Sequence, residues 1–251
     1  MYERAVVVAS FGTSVPEAQR SITAVEESLA AAAAGYACVR AFTSPAVRRI
    51  LRERGEAVPG LTEALEALAA EGVRQVIVQP TYFLCGGEYD KLREEAEAFS
   101  GRFSSLTVGR PLLSDSGDVR RFALRLSQAY PAAEGAAAVF MGHGTGRPAN
   151  AVYPALQAAL DRLGRGDLHV GTVKGSPALE DILRRLELGG ARQITLLPLM
   201  LVAGAHARND MAGVWKPRLE QAGHRVTCSF RGLGELDWVR EMYREHLQAL
   251  L

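Results

Sequence analysis

The chain has only three cysteines, Cys38, Cys85 and Cys228, far apart and with no CxxC pair. A disulfide framework or a structural zinc site is therefore not expected. No stretch approaches the roughly 18 uninterrupted apolar residues of a membrane-spanning helix. No basic segment followed by a long apolar one opens the chain, so no signal peptide is expected and the protein reads as cytoplasmic. The net charge is +1, which speaks against nucleic acid or an anionic membrane as a partner. Lysine is scarce: Lys91, Lys174 and Lys216 are the only three, and the remaining basic residues are arginines. Arginine's planar fork suits carboxylates and phosphates, although a general bias toward Arg and Ala accounts for the count as well. Walker A, GxGxxG, GxSxG and HExxH motifs are all missing, which removes the commonest nucleotide, hydrolase and metalloprotease readings.

What is present is apolar and periodic. Hydrophobic residues make up 48% of the 251 positions, enough for one large domain or two moderate ones. In the first part, strands are expected over 5–9, 36–43, 75–79 and 106–109. Helices are expected over 16–34, 45–54, 61–70, 88–99 and 115–130. Pro16 and Pro45 suit first helical turns, with Ser44 as an N-cap. The segment 131–135, PAAEG, reads as a linker, after which the pattern restarts. Strands are expected over 136–141, 169–173, 194–199 and 225–230, and helices over 149–163, 176–186, 207–221 and 235–250. Alternation of this kind gives an α/β fold with parallel sheets covered on both faces. The expected halves are 1–130 and 131–251, with the closing helix able to cross to the first half.

The restart carries residue-level matches. Arg74-Gln75-Val76-Ile77 resembles Arg192-Gln193-Ile194-Thr195, an offset of 118. Ser44-Pro45-Ala46 resembles Ser176-Pro177-Ala178, and Gly12-Thr13 resembles Gly144-Thr145, both at an offset of 132. Three matches in one order imply two homologous, pseudo-symmetric halves. On this alignment His143 corresponds to Phe11, His206 to Glu88 and Lys174 to Phe42.

Two histidines stand out. His206 follows the apolar run 196–203 and Gly204; His143 lies between Gly142 and Gly144 in what reads as a turn after a buried strand. Both positions lie at the carboxyl edge of a parallel sheet, where α/β proteins bind ligands. Two imidazoles without cysteines suit an open, exchanging site for a first-row divalent metal. Backbone-binding loop histidines are the plainer alternative. Glu88, in Gly86-Gly87-Glu88-Tyr89, offers a carboxylate as ligand or proton acceptor, or simply stabilises a first helical turn. The Gly12-Thr13 and Gly144-Thr145 turns are weak candidates for anion binding. His169, His224 and His246 read as structural or exposed, and the cysteines as packing residues.

Together, Ala9-Ser10-Phe11-Gly12-Thr13-Ser14, Arg40-Ala41-Phe42-Thr43-Ser44, Gly86-Gly87-Glu88-Tyr89, Phe140-Met141-Gly142-His143-Gly144 and the stretch from Leu197 to Met211 resemble the anaerobic-pathway sirohydrochlorin cobaltochelatases. The resemblance covers essentially the whole chain. It implies a class II chelatase fold similar to ferrochelatase: two α/β halves, each a parallel four-stranded sheet flanked by helices, with a tetrapyrrole cleft between them. The implied activity is insertion of Co2+ into sirohydrochlorin, with cobalt as substrate metal and no organic cofactor. The metal residues would be His143 and His206. His143, Glu88 and Lys174 would be the catalytic candidates. Ser10, Phe11, Gly12, Thr13, Ser14, Thr43, Ser44, Gly142 and Ser176 would bind substrate. One position departs from the family: a segment that usually reads GTVEGYP is here Gly171-Thr172-Val173-Lys174-Gly175-Ser176-Pro177, with lysine in place of glutamate. Lys174 would then bind a substrate carboxylate, or Glu88 would take the acid's role, or chelation would have been lost. Alternatives to cobalt insertion are a Ni2+ or Fe2+ chelatase, or a tetrapyrrole or metal carrier of the same fold. Exposed apolar helix faces would allow a homo-oligomer.

Overall fold

The apolar runs near residues 5 and 137 leave no polar face, so each becomes the central strand of its own parallel sheet. The computed structural model describes residues 2–204 and 207–251. Strands β1 (Arg4–Ser10), β2 (Ala37–Phe42), β3 (Gln75–Pro80) and β4 (Ser105–Val108) form one sheet in the order β2-β1-β3-β4. Strands β5 (Ala136–Gly144), β6 (Leu168–Lys174), β7 (Gln193–Pro198) and β8 (Arg225–Cys228) form the other in the order β6-β5-β7-β8. The expectation of two parallel four-stranded sheets flanked by helices is met.

The chain divides into two compact units, Met1–Leu112 with Gly234–Leu251, and Leu113–Leu233. Unit 1 holds the first sheet with helices α1 (Pro16–Ala32), α2 (Pro45–Glu53), α3 (Leu61–Ala70) and α4 (Gly87–Glu97). Unit 2 holds the second sheet with α5 (Ser116–Ala129), α6 (Val152–Arg162), α7 (Leu179–Gly189) and α8 (Lys216–Gln221). The closing helix α9 (Asp237–Gln248) packs on α1 and belongs to unit 1. Its buried Tyr243 donates to the carbonyls of Thr81 (2.9 Å) and Tyr82 (3.1 Å), satisfying backbone at the carboxyl end of β3. The division differs from the expected break at 130/131 because α5 packs against α6. Arg165 holds the end of α5 by donating to the carbonyls of Ser127 and Tyr130, while the Tyr130 ring meets Phe140 edge-on at 5.1 Å.

Each unit has a core of its own. In unit 1, Val7, Val76 and Val78 pack against Leu61, Leu65 and Leu68 of α3 and Leu92 of α4. In unit 2, Val139, Met141, Ile194 and Leu196 pack against Ile182 and Leu186 of α7, and against Met211, Trp215 and Leu219. Full burial of each such side chain is worth about 1.5–3 kcal/mol.

The register revises the internal alignment. Ser10 pairs with Phe42 in unit 1, and Gly142 pairs with Thr172 in unit 2. The N–H of Phe42 bonds the carbonyl of Pro59, and that of Thr172 bonds the carbonyl of Pro177. Phe42 is thus matched by Thr172, Ser44 by Lys174, and Pro59 by Pro177. The apparent Ser-Pro-Ala repeat is not structural. Ser44 caps α2, its Oγ accepting from the Val47 N–H at 3.4 Å, whereas Ser176–Pro177 is a cis peptide and α7 starts only at Leu179. The counterpart of α7 is α3. Both open with a side chain accepting the N-cap N–H: Glu63 from Gly60 at 2.6 Å, and Asp181 from Ala178 at 2.8 Å.

Candidate active site

Both central strands end in the same way. In each, a glycine with positive φ closes against the neighbouring strand: Gly12 at 89° and Gly144 at 72°. A Cβ on Gly12 would lie 2.7 Å from the Phe42 ring. One on Gly144 would lie 2.7 Å from the Thr172 Cβ and 1.8 Å from the Lys174 carbonyl oxygen. Only glycine fits either place. The residue just before, Phe11 or His143, is thereby held at the carboxyl edge of its sheet.

In unit 2 the strand runs further than its sequence suggests. Gly142-His143-Gly144 reads as a turn, but pairing of Gly142 with Thr172 and Gly144 with Lys174 keeps it extended. His143 therefore sits on the strand end and is part-buried. Its Nδ1 lies 3.0 Å from the Gly144 carbonyl oxygen. In the tautomer that donates there, Nε2 carries the lone pair a metal would take. Tyr153 at the start of α6 lies under this segment, its phenol accepting the Gly144 N–H at 3.4 Å. Burial pushes that phenol up to about 12, with the Gly144 hydrogen bond opposing. The next loop is tied across: Asn150 accepts from the Thr145 N–H (3.0 Å) and donates to the Ser176 carbonyl (2.5 Å). Lys174 ends β6 with an exposed side chain, and Ser176 is also exposed.

In unit 1 the predicted substrate-binding residues share one edge. The Thr43 N–H bonds the Ser10 carbonyl at 2.8 Å, and the Ser44 N–H bonds the Phe11 carbonyl at 3.2 Å. The Ser10 hydroxyl is buried against Thr81 Oγ1 at 2.8 Å. Thr43 Oγ1 meets the Tyr82 hydroxyl at 2.7 Å. Burial raises the Tyr82 phenol to about 12; the Thr43 hydrogen bond opposes this, and the Glu88 and Glu95 carboxylates add to it. The Thr13 hydroxyl accepts the Val15 N–H, and the Ser14 carbonyl accepts from Arg54 at 2.6 Å. The Phe11 ring is 49% exposed, an unusual place for a phenyl group unless something flat covers it. Glu88 is exposed in the first turn of α4 and paired with Lys91 at 2.9 Å.

The structure thus gathers Ser10, Phe11, Gly12, Thr13, Thr43 and Ser44 in unit 1, and Gly142, His143, Lys174 and Ser176 in unit 2. His206 lies outside the described residues. The segment after it is a π-helix, Ala207–Trp215, rather than the expected α-helix, and it passes into α8. Such wide turns occur often at functional sites. Among the described residues, no three His, Cys, Asp or Glu side chains are grouped to hold a metal. Sequence reasoning missed Arg54, Tyr82 and Tyr153, whose contacts span 40, 39 and 9 positions and leave no local pattern. His246, read as structural or exposed, is buried, and Cys38 and Cys85, read as packing residues, are exposed.

Known proteins resemble this chain over nearly its whole length. The family model described as Cobalt chelatase (CbiK) matches residues 4–251. A sirohydrochlorin cobaltochelatase, CbiKC, of Nitratidesulfovibrio vulgaris is 36% identical, the match covering 99% of this chain and 91% of that protein. The sirohydrochlorin cobaltochelatase of Salmonella typhimurium is 37% identical over 99% of this chain and 97% of its own. Among solved structures, SirB from Bacillus subtilis with Fe3+ superposes with a TM-score of 0.71 at 17% identity, covering 98% of this chain and 94% of that one, a likeness of fold. By match length and identity, the chain belongs to the cobalt chelatase (CbiK) family.

Proposed function

We propose that this protein is a sirohydrochlorin cobaltochelatase that inserts Co2+ into sirohydrochlorin. The observation that carries the reading is the near-full-length match to two sirohydrochlorin cobaltochelatases at 36% and 37% identity. His143, held at the end of β5 with Nδ1 on a backbone carbonyl, supports it as a metal ligand. His206 is the second ligand. Two pyrrole N–H groups give up their protons as two nitrogen–cobalt bonds form, so the charge of Co2+ is balanced by the two protons released. Glu88 accepts protons as general base, or a metal-site histidine does so. Phe11 stacks on the macrocycle. The acetate and propionate groups of the macrocycle are held by Arg54 and by backbone N–H groups of the 11–14 turn.

Lys174 supports a carboxylate-binding role better than a base role, because its side chain is exposed and burial is what a lysine base depends on. Among the described residues no helix is long and apolar enough to cross a membrane. The test is an anaerobic absorbance assay of the protein with sirohydrochlorin and Co2+, Ni2+ or Fe2+ in turn, against protein-free controls. Many turnovers with Co2+ are expected. Turnover with another metal alone would reassign the substrate. A one-to-one spectral shift without turnover would make the protein a carrier.

A further inference from the structure

We propose that Tyr153 is a positioning residue that orients the His143 imidazole by clamping the two glycines flanking it. The inference rests on the reading of His143 as a metal ligand. Tyr153 is 3% exposed and sits in the first turn of α6. Its ring occupies the space beside Gly142 so closely that a Cβ there would lie 2.3 Å from Cε1 and 2.9 Å from Cζ. Its phenol oxygen accepts the N–H of Gly144 at 3.4 Å. The two contacts bracket His143. Contact with Gly142 fixes where the backbone enters the histidine; the Gly144 N–H fixes the peptide plane on leaving it, and hence ψ of His143. Gly144 then passes the restraint on, because its carbonyl meets His143 Nδ1 at 3.0 Å. Phenol, peptide and imidazole form one chain of contacts, so a shift of Tyr153 re-aims Nε2.

Among the described residues, unit 1 lacks this device. The position matching His143 is Phe11, whose stacking role needs no aimed lone pair. The position matching Gly142 is Ser10, whose hydroxyl is spent on Thr81 instead. The clamp therefore accompanies the histidine rather than the fold.

The test compares wild type with Tyr153→Phe, Gly142→Ala and His143→Ala. Tyr153→Phe keeps the ring against Gly142 and removes only the phenol oxygen. Gly142→Ala keeps the phenol and displaces the ring. Tyr153→Phe is expected to melt within a few degrees of wild type, whereas Gly142→Ala, whose Cβ would lie 2.3 Å from a buried ring, should melt lower. In both, the KM for Co2+ should rise about tenfold, the scale on which groups behind a metal ligand act. In Tyr153→Phe, which alters no substrate-binding residue, the KM for sirohydrochlorin should not move. With Co2+ alone, the visible ligand-field band of the bound ion should shift. A merely structural role would lower the melting temperature and the active fraction without moving the KM for Co2+ or the band. A folded Tyr153→Phe or Gly142→Ala protein with wild-type KM for Co2+ and an unchanged band overturns the inference. If Tyr153→Phe does not accumulate folded, Gly142→Ala decides. His143→Ala separates the two levels: it should lose the band and turnover. Retention of both would overturn the metal-site reading itself, whatever Tyr153 does.

Discussion

Replacing Gly144 with alanine should be among the most damaging single-methyl changes in unit 2. Two costs add. The residue has φ of 72°, where an L side chain costs about 1–2 kcal/mol. The new Cβ would also lie 1.8 Å from the Lys174 carbonyl oxygen and 2.7 Å from the Thr172 Cβ, so β6 must move away from β5. Overpacking of that kind costs about 1–3 kcal/mol, and the obstacle is backbone, which cannot rotate aside. The total is about 2–5 kcal/mol. Gly190→Ala is the control. Gly190 closes α7 at φ of 67°, but among the described residues nothing lies within 4 Å of where its new methyl would sit, so only the first cost of about 1–2 kcal/mol applies. Urea unfolding in a Trp238→Phe background would leave Trp215, buried in unit 2, as the fluorescent reporter. Gly144→Ala should unfold at clearly lower urea than Gly190→Ala, with the same slope. Equal midpoints would refute the claim that the end of β5 is wedged against β6. Since the wedge sets both His143 and Lys174, any folded Gly144→Ala protein should bind Co2+ poorly.

Two further outcomes follow from the charges. His169 is buried on β6, and its ionisation is pushed down to about 4 from the usual 6.5, by burial first and the Arg185 guanidinium second, with Asp161 and Asp167 opposing. The unfolded chain takes up a proton below about pH 6.5 that the folded one refuses until about pH 4. Stability of unit 2 should therefore fall as pH drops through that window, by about 3 kcal/mol in all. His169→Gln, able to accept from Arg185, should flatten the slope in urea titrations between pH 7 and 4.5; an unchanged slope would contradict it. Lys174→Glu should leave the melting temperature unaltered, because the side chain is exposed. It should raise the KM for sirohydrochlorin roughly fivefold through lost attraction to a carboxylate. A lowered KM for Co2+ with unchanged KM for the macrocycle would instead show that the lysine hinders metal entry.

The sequence and the structure agree where local chemistry decides. The run at β3 and its copy at β7 are strands buried through Val76, Ile77 and Val78, and through Ile194, Leu196 and Leu197, while the polar Gln75, Gln193 and Thr195 are exposed. Helix α3 spans the residues its Leu61-Ala64-Leu65-Leu68 spacing predicts. They part company where a distant partner decides. Gly142-His143-Gly144 has turn composition, yet pairing with β6 draws it into the strand. The Ser-Pro-Ala likeness outweighed register in the alignment, since register is a property of hydrogen bonds between strands. Helix α5 joins unit 2 through Arg165, a contact 35 residues away from Tyr130 that no window reveals. The candidate site follows the same rule. Ser10, Phe11, Thr43 and His143 are legible because glycines and strand ends mark them. Arg54, Tyr82 and Tyr153 are not, because each acts on a residue brought to it by the fold.

On the proposed function, His143 and His206 together deliver Co2+ to the macrocycle. The most direct measurement is the initial rate of cobalt insertion at limiting Co2+ for wild type, His143→Ala and His206→Ala, each checked for an unchanged melting temperature. Both variants should lose turnover by at least about a hundredfold, the scale set by removal of a group acting on the reacting atoms. Wild-type rates in either folded variant would contradict the account.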